Sequence, residues 1–344
     1  MKIFYAVQAT GNGHISRAIT LLPHLQKWGE VDCFLSGNNS HLEANLPVKF
    51  RSKGISLYYN NTGGLDYSKI AFQRNPVGLF KEVMALPVEK YDLVLNDFDC
   101  LTSLACSLKK VPSIHFGHQA SFQYPETPRP VFKSWHGELL LKKYVQASYH
   151  IGLHFEKYHT DVFGAIIKKE ILDATPTNHG HITVYLPALH DRFLQILLRG
   201  IPHQKFEVFS KAVKNTTREK NITFKPIGQE SFNKSLISCA GIICGAGFET
   251  PAEAMQLGKK ILAMPIWGQY EQYCNAAALK NMGITVLDPY QAMESVMIED
   301  WLNQGKALQK DYRLSIEQSL GRMQEIWSTP NKMDLILPRR IALQ

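Results

Sequence analysis

Short apolar runs alternate with amphipathic segments along most of the chain, and this alternation constrains the fold more than any other feature. The run at residues 3–7 ends in a glycine-rich turn, and apolar residues then recur at helical spacing over residues 15–28. Four more runs of strand length follow in the first half, at residues 31–35, 93–96, 113–116 and 149–153. Repeated strand–helix units of this kind predict a parallel sheet with helices on both faces.

The alternation restarts after a polar stretch at residues 170–181. The later strands are predicted at residues 182–186, 207–209, 223–225, 241–244 and 260–264, and a long amphipathic helix is predicted over residues 307–327. A chain of 344 residues has room for two domains of about 150 residues each. We therefore predict an α/β protein with two Rossmann-like, doubly wound domains that face a cleft. The predicted divisions are residues 1–160, residues 161–325, and a segment at 326–344 that packs back toward the first domain.

The composition narrows the class of protein. Hydrophobic residues make up 45% of the chain and charged residues 20%, as in soluble globular proteins, and no apolar run approaches the ~20 residues that span a bilayer. The six cysteines form no CxxC pair and no signal peptide is recognised, so we expect reduced thiols and a cytoplasmic location. The net charge of +8 indicates an anionic partner. Nucleic acid is not expected, because the basic residues are scattered singly or in pairs.

The second half contains a glycine-rich motif, CGAGFETPAE at residues 244–253, between a predicted strand and a predicted helix. Glycines let a backbone approach an anion closely, and the N–H groups at a helix start favour a diphosphate. The same residues allow a structural interpretation. Thr250 and Glu253 match a capping box with Pro251 at the first helical position, in which the Glu253 carboxylate accepts from the Thr250 N–H and touches no ligand.

The first strand is followed by GNGHISR at residues 11–17. A dinucleotide-binding fingerprint is one interpretation, with Asp32 near the second strand, but Ser16 replaces the third glycine and His14 would intrude beside a pyrophosphate. In a structural interpretation, His14 caps a helix that begins at Ile15. Asp97 and Asp99 form a DxD pair at the end of a strand, which leaves three alternatives open: Asp97 orients His14, the two are solvated loop acids, or they bind a metal ion.

Residues 245–272, which end in PIWGQYEQ, resemble the donor-binding signature of GT-B glycosyltransferases. The resemblance extends to the MurG-like peptidoglycan enzymes and to the UDP-glucuronosyl and plant glucosyltransferases, and the GxGHxxR form resembles the amino-terminal loop of the same enzymes. It implies a GT-B fold, in which ligands bind between the domains at the carboxyl ends of the strands.

The resemblance also implies roles for individual residues. Glu253 matches the carboxylate that holds the ribose hydroxyls, and Glu271 with Gln272 matches the pair that holds hydroxyls of the donor sugar. Ile227 matches a position near the backbone that reads the nucleobase. The predicted donor-binding residues are Gly11, Gly13, Ile227, Gly245, Ala246, Gly247, Phe248, Glu249, Thr250, Glu253, Glu271 and Gln272.

Two features of the donor motif depart from expectation. The plant enzymes carry a histidine near Gly245 that meets the diphosphate, and this chain lacks it. Glu249 would be unfavourable near phosphates unless its carboxylate points away.

In the first domain the resemblance implies His14 as general base and Asp97 as its orienting partner, so His14 and Asp97 are the predicted catalytic residues. His115 and His118 follow a strand into the same cleft and are candidates for contact with the acceptor.

The implied reaction is transfer of a sugar from a nucleoside-diphosphate sugar to an unidentified hydroxyl acceptor, with inversion, without a metal and without a cofactor. By resemblance to the peptidoglycan enzyme, a lipid-linked acceptor, peripheral contact with the inner face of the membrane and a role in cell-envelope glycan synthesis are further expectations. The apolar, basic stretches at residues 77–86 and 132–144 are the candidate contacts. Three alternatives stay open: a nucleotide-sugar hydrolase of the same fold, a nucleotide-sugar 2-epimerase, and a non-catalytic nucleotide-sugar-binding protein.

Overall fold

The computed structural model describes residues 1–9, 12–37, 46–54, 75–288 and 294–328, and the strands of this part of the chain form two sheets of seven. The strands of the first sheet are β1 (Lys2–Gln8), β2 (Glu30–Ser36), β3 (Val48–Ser52), β4 (Leu93–Asp97), β5 (Ile114–Gly117), β6 (Tyr149–Leu153) and β7 (Val162–Phe163). Those of the second are β8 (His181–Tyr185), β9 (Lys205–Ser210), β10 (Thr217–Glu219), β11 (Ile222–Pro226), β12 (Gly241–Gly245), β13 (Lys260–Met264) and β14 (Thr285–Val286).

Eleven α-helices lie in the described residues and connect these strands. They are α1 (Asn12–Leu25), α2 (Pro76–Ala85), α3 (Cys100–Lys109), α4 (Trp135–Lys143), α5 (Lys169–Leu172), α6 (Asp191–Arg199), α7 (Gln229–Ser238), α8 (Glu249–Gln256), α9 (Tyr270–Asn281), α10 (Ser295–Gln304) and α11 (Ser315–Trp327). None of them is long and apolar enough to cross a membrane.

The first sheet is parallel throughout, in the order β3-β2-β1-β4-β5-β6-β7. Six of the seven residues of β1 are buried, as expected for a parallel strand covered on both faces. The strand order changes direction between β1 and β4, where Val7 pairs with Asp97. Ligands of open α/β sheets bind at such switch points. The loop after β1 and the end of β4 therefore lie side by side at the predicted ligand edge.

The second sheet repeats this plan in the order β10-β11-β9-β8-β12-β13-β14, and only β10 runs antiparallel to its neighbour. Its switch point lies between β8 and β12, and the glycine-rich motif follows β12. The predicted fold class, two doubly wound α/β sheets, is confirmed. Apolar periodicity did not indicate β3, β10 or β14, because these edge strands have few buried residues.

The carboxyl-terminal part of the described chain differs from the sequence prediction. The predicted helix over residues 307–327 is wrong in its first part, since α11 begins only at Ser315. Lys310 and Tyr312 donate their backbone N–H groups to Met255 and Gln256 of α8, which holds this stretch in a non-helical path. Residues 329–344 of the predicted terminal segment lie outside the described residues.

The boundaries between the two halves also shift. The predicted division after residue 160 precedes β7, whose Val162 and Phe163 pair with β6 of the first sheet. Helix α11, assigned by sequence mainly to the second domain, contacts the first, because Arg322 donates to the Asp161 carboxylate at 2.6 Å. The chain passes between the two sheets within residues 164–180, which include α5, and it returns to the first sheet at α11.

Candidate active site

His14 and Asp97 meet at the switch point of the first sheet. Helix α1 begins at Asn12, so His14 lies in its first turn and is not the cap of a helix that begins at Ile15. The Nδ1 atom of His14 lies 2.8 Å from Oδ1 of Asp97, the fully buried last residue of β4. The next residue, Phe98, has a φ of 60°, and its ring lies parallel to the His14 imidazole at 6.3 Å. A left-handed backbone is costly for a bulky residue, and such strain is concentrated at functional sites.

Arg17 fixes the Asp97 carboxylate from the next turn of α1. Its Nε donates to Oδ2 at 2.9 Å and its Nη2 donates to Oδ1 at 2.8 Å, which is the two-pronged geometry that makes arginine–carboxylate pairs strong. Burial by itself would raise the pKa of Asp97, but Arg17 and His14 together hold it well below its usual range. Asp97 is therefore an anion at any working pH.

The contacts of His14 indicate which ring nitrogen carries the proton. Nδ1 lies 2.8 Å from Asp97 and 2.9 Å from Nη2 of Arg17. Asp97 can only accept a hydrogen bond and Arg17 can only donate one, so the two contacts require opposite tautomers. We assign the proton to Nδ1, which then donates to the charged Asp97 carboxylate at the shorter distance. This tautomer leaves Nε2 as the basic atom of the ring.

Glu249 reaches this cluster from the second sheet. It is the first residue of α8, and its Oε1 accepts from Nη1 of Arg17 at 2.7 Å. A Cβ added to Gly13 would lie 2.6 Å from the carboxyl carbon of Glu249, so the Gly13 backbone lies directly against this carboxylate. The Glu249 carboxylate thus points toward the first domain and away from the N-terminus of its own helix. Gly11, predicted beside Gly13, lies outside the described residues.

The glycine-rich loop leads from β12 into α8. A Cβ at Gly247 would have open space around it, and one at Gly245 would be 3.6 Å from the Gln272 amide oxygen. Ala246 and Phe248 are buried, and the Phe248 ring stacks on His118 of the first sheet at 4.1 Å. Because their side chains pack in the core, a donor could contact Ala246 and Phe248 only through their backbone groups, and their predicted role in donor binding stays a prediction.

Glu253 does not form the capping box that its spacing allowed. Helix α8 begins at Glu249, so Thr250 is already inside the first turn and is not the N-cap. The buried Glu253 carboxylate instead pairs with Nζ of Lys168 at 3.0 Å. Burial raises the pKa of Glu253, and Lys168 opposes that rise.

The predicted sugar-binding pair begins α9. Oε2 of Glu271 accepts from the Gln119 amide at 3.1 Å, so this carboxylate faces the first domain. Gln272 turns back on its own loop, where its oxygen accepts from the Ile266 N–H at 2.9 Å. Ile227 directly follows β11 and is partly exposed.

The two further candidates of the first domain, His115 and His118, are buried, and burial lowers the pKa of each. Nδ1 of His118 lies 3.0 Å from the Leu153 carbonyl oxygen and its Nε2 lies 2.9 Å from the Asn275 amide oxygen.

The DxD pair is not arranged for a metal ion. Asp97 is bound to Arg17 and His14, and Asp99 caps α3 by accepting from the Thr102 N–H at 2.7 Å. Within the described ranges, no group of three His, Cys, Asp or Glu side chains could hold a metal ion. Asp32 of the dinucleotide interpretation lies near the start of β2, paired with Lys49 and Tyr91, at the opposite end of the strand from the switch point.

A family model described as glycosyl transferase family 1 matches residues 1–304. The chain belongs to this family. It is therefore a glycosyltransferase, as its motifs predicted. No curated protein matches it by sequence.

Solved structures similar to this family 1 glycosyltransferase share its GT-B fold. UGT89C1 of Arabidopsis thaliana, in complex with UDP-L-rhamnose, aligns with a TM-score of 0.59 at 11% identity, covering 98% of this chain and 99% of that one. The spinosyn forosaminyltransferase SpnP aligns at 0.56 and 14% identity, over 96% and 100% of the two chains. SsfS6 of Streptomyces sp. SF2575, in complex with thymidine diphosphate, aligns at 0.54 and 14% identity, over 98% of each chain.

Sequence reasoning missed two charged residues of this glycosyltransferase that complete the cluster. Arg17 stood at the end of the GxGHxxR motif, but nothing in the sequence indicates its contact with Glu249, 232 positions away. Lys168 precedes α5 in the stretch between the two sheets, and its partner Glu253 lies in α8. Spacing along the chain carries no signal for either pairing.

Proposed function

We propose that this glycosyltransferase moves a sugar from a nucleoside-diphosphate sugar to a hydroxyl acceptor, with inversion and without a metal or cofactor. One observation carries the proposal. A histidine oriented by a buried carboxylate lies near the start of α8, because Arg17 binds that carboxylate and also donates to Glu249 at 2.7 Å. His14 can act as a base, and the start of α8 can hold an anionic leaving group. Such a pair suits displacement at a sugar carbon held between them.

The donor position is supported by the chemistry of the loop before α8. The first N–H groups of a helix have no partners inside it, and with the helix dipole they favour a diphosphate. A Cβ at Gly247 would meet nothing within 4 Å, so the loop has space there for a ligand. Glu253 is proposed for the ribose hydroxyls, with Glu271 and Gln272 for the sugar. Since the solved structures above include complexes with UDP-L-rhamnose and thymidine diphosphate, UDP- and dTDP-sugars are the first donors to test.

In the proposed reaction, Nε2 of His14 takes the proton of the acceptor hydroxyl as its oxygen attacks the anomeric carbon. The bond between that carbon and the diphosphate oxygen breaks on the opposite face, which inverts the configuration. Asp97 stabilises the imidazolium that forms, and the α8 N-terminus stabilises the charge on the departing diphosphate. His14 and Asp97 could activate water in the same way, so hydrolysis is the competing reaction.

The experiment is a calorimetric titration of the chain with UDP, dTDP, GDP and CMP, followed by a turnover assay with the sugar of the nucleotide that binds. A ligand at 100 times its dissociation constant adds about 2.7 kcal/mol of stability, so thermal shifts report the same ranking. Sugar transfer to added acceptors, with nucleotide release that depends on them, supports the proposal. Free sugar released at the same rate without acceptor would identify a hydrolase, and binding without turnover would identify a binding protein.

A lipid-linked acceptor and peripheral membrane contact, on the cytoplasmic side, are a finer part of the proposal. Val131, Phe132 and Trp135 expose 92%, 93% and 70% of their surface before and at the start of α4, beside the cationic Lys133. Exposed aromatic residues next to basic ones favour anionic membrane surfaces. Sedimentation with phosphatidylglycerol vesicles should exceed that with phosphatidylcholine vesicles, and Phe132→Ser should reduce it. Equal sedimentation of the variant would remove this contact.

A further inference from the structure

Arg17 lies between two carboxylates, one on a strand of the first sheet and one on a helix that follows the second sheet's β12. It is 3% exposed, and three of its nitrogens donate: Nε and Nη2 to Asp97 of β4, Nη1 to Glu249 of α8, at 2.7–2.9 Å. Because a guanidinium presents its donors in a fixed planar fork, the directions of the two carboxylates are set relative to each other.

The position of Glu249 makes its direction important. As the first residue of α8, its carboxylate has a favourable alternative beside its own helix N-terminus, where negative charge is stabilised. That is the place proposed above for the donor diphosphate. A carboxylate turned toward it would compete for the same N–H groups and repel the phosphates.

The first domain is shaped to receive the Glu249 carboxylate. Gly13 leaves room that any larger residue would fill, since its Cβ would lie 2.6 and 2.7 Å from the Glu249 carboxyl atoms. The Glu249 side chain keeps about a third of its surface exposed, so it is not locked in place by packing. The buried Arg17 is the cation that draws it to this side.

We propose that Arg17 is a positioning residue for both halves of the site, resting on the donor position of the proposed function. Through Asp97 it holds the base His14 in its working tautomer. Through Glu249 it keeps a competing carboxylate away from the diphosphate. Donor affinity in the second domain thus depends on an arginine of the first domain that does not touch the donor.

This arrangement predicts an ordered set of affinities for UDP and dTDP, measured by calorimetry on the full chain. Arg17→Met should weaken binding of the nucleotide by about tenfold or more, because like charges brought together at a binding surface are strongly unfavourable. Glu249→Gln, which removes the competing charge and keeps the shape, should bind at least as tightly as the wild type. The double variant should return to within about threefold of the wild type, since double-mutant cycles isolate such coupling.

Turnover separates the two roles of Arg17. The double variant should recover donor affinity and KM but not kcat, because Asp97 and His14 remain without their clamp. A purely structural role would lower the folded fraction of the Arg17→Met variant, and Glu249→Gln would not rescue its nucleotide affinity. If Arg17→Met does not fold, Arg17→Lys serves the same test, since a lysine lacks the fork that serves two carboxylates.

Three results would overturn the proposal. The first is undiminished nucleotide affinity in Arg17→Met. The second is a tenfold loss of nucleotide affinity in Glu249→Gln alone, which would make Glu249 a direct donor ligand. The third is a double variant that binds nucleotide as weakly as Arg17→Met. The wild-type titration reports separately on the proposed function. If the wild type binds no nucleotide, the donor site and this proposal fall together; if it binds and the order of variants differs, only the role of Arg17 falls.

Discussion

The proposed roles of single side chains in this glycosyltransferase depend on contacts with residues far away along the chain. His14 and Asp97 were predicted as a pair from a motif and a family resemblance, and the structure brings them to 2.8 Å. The sequence could suggest this pair because both residues lie at or just after the carboxyl ends of strands that meet at one switch point. It could not suggest the Lys168–Glu253 pair, since Lys168 lies outside any strand–helix unit whose geometry can be anticipated.

Glu253→Gln tests the proposed ribose contact at this scale. Loss of a charged hydrogen bond should weaken nucleotide affinity by roughly 1.5–3 kcal/mol, measured by calorimetry. Glu156→Gln is the matched control, because Glu156 also pairs with a lysine, Lys310, but on the protein surface. If Glu253→Gln lowers only the free energy of unfolding and nucleotide binds as before, Glu253 serves to anchor Lys168 and nothing more.

At the scale of elements, the ends of helices decide what the acidic residues do. Strand–helix alternation predicts that helices follow strands but does not fix their first residues, and the roles of Asp99, Thr250 and Glu253 depend on the first residues of α3 and α8. Because α8 starts at Glu249, one residue before Thr250, Thr250 is not an N-cap and no capping box forms. The Glu253 carboxylate pairs with Lys168 instead. A start of α3 at Cys100 makes Asp99 an N-cap.

Asp99→Asn distinguishes this cap from a metal ligand. Asparagine and aspartate cap helices about equally well, so stability and turnover should both stay near those of the wild type, in the presence of EDTA as well as without it. Asp99→Ala should cost about 1 kcal/mol of unfolding free energy, with kcat of the folded protein unchanged. Loss of activity in Asp99→Asn or in EDTA, with recovery on addition of magnesium or manganese, would restore the metal interpretation of the DxD pair.

At the scale of the whole molecule, the two sheets meet through α4 and α9 as well as through Arg17. Tyr270 donates its hydroxyl to Glu138 at 2.8 Å, and its ring lies against the Gly137 backbone. Periodicity predicted the two sheets and their order along the chain. It could not predict how they dock, because docking depends on single close contacts and not on any repeating pattern.

Gly137→Ala tests this docking, with Gly78→Ala as its matched control. A Cβ at Gly137 would lie 2.3 Å from the Tyr270 ring, whereas one at Gly78 of α2 would meet nothing within 4 Å. Alanine favours a helix over glycine by roughly 0.5–1 kcal/mol, so Gly78→Ala should be neutral or stabilising. Overpacking typically costs about 1–3 kcal/mol, so Gly137→Ala should lower the free energy of unfolding and kcat/KM. Equal behaviour of the two variants would mean that this contact does not hold the domains in their working arrangement.

His14 is proposed as the base of the glycosyl transfer. The kcat of folded His14→Ala at saturating donor tests this role most directly. His24→Ala, at the other end of α1, is the control for removing a histidine from this helix. His14→Ala should lower kcat by about 10²–10⁴, the usual contribution of general-base catalysis, while donor affinity stays close to that of the wild type. Undiminished kcat in folded His14→Ala would remove His14 from the mechanism and leave the loop after β1 a structural turn.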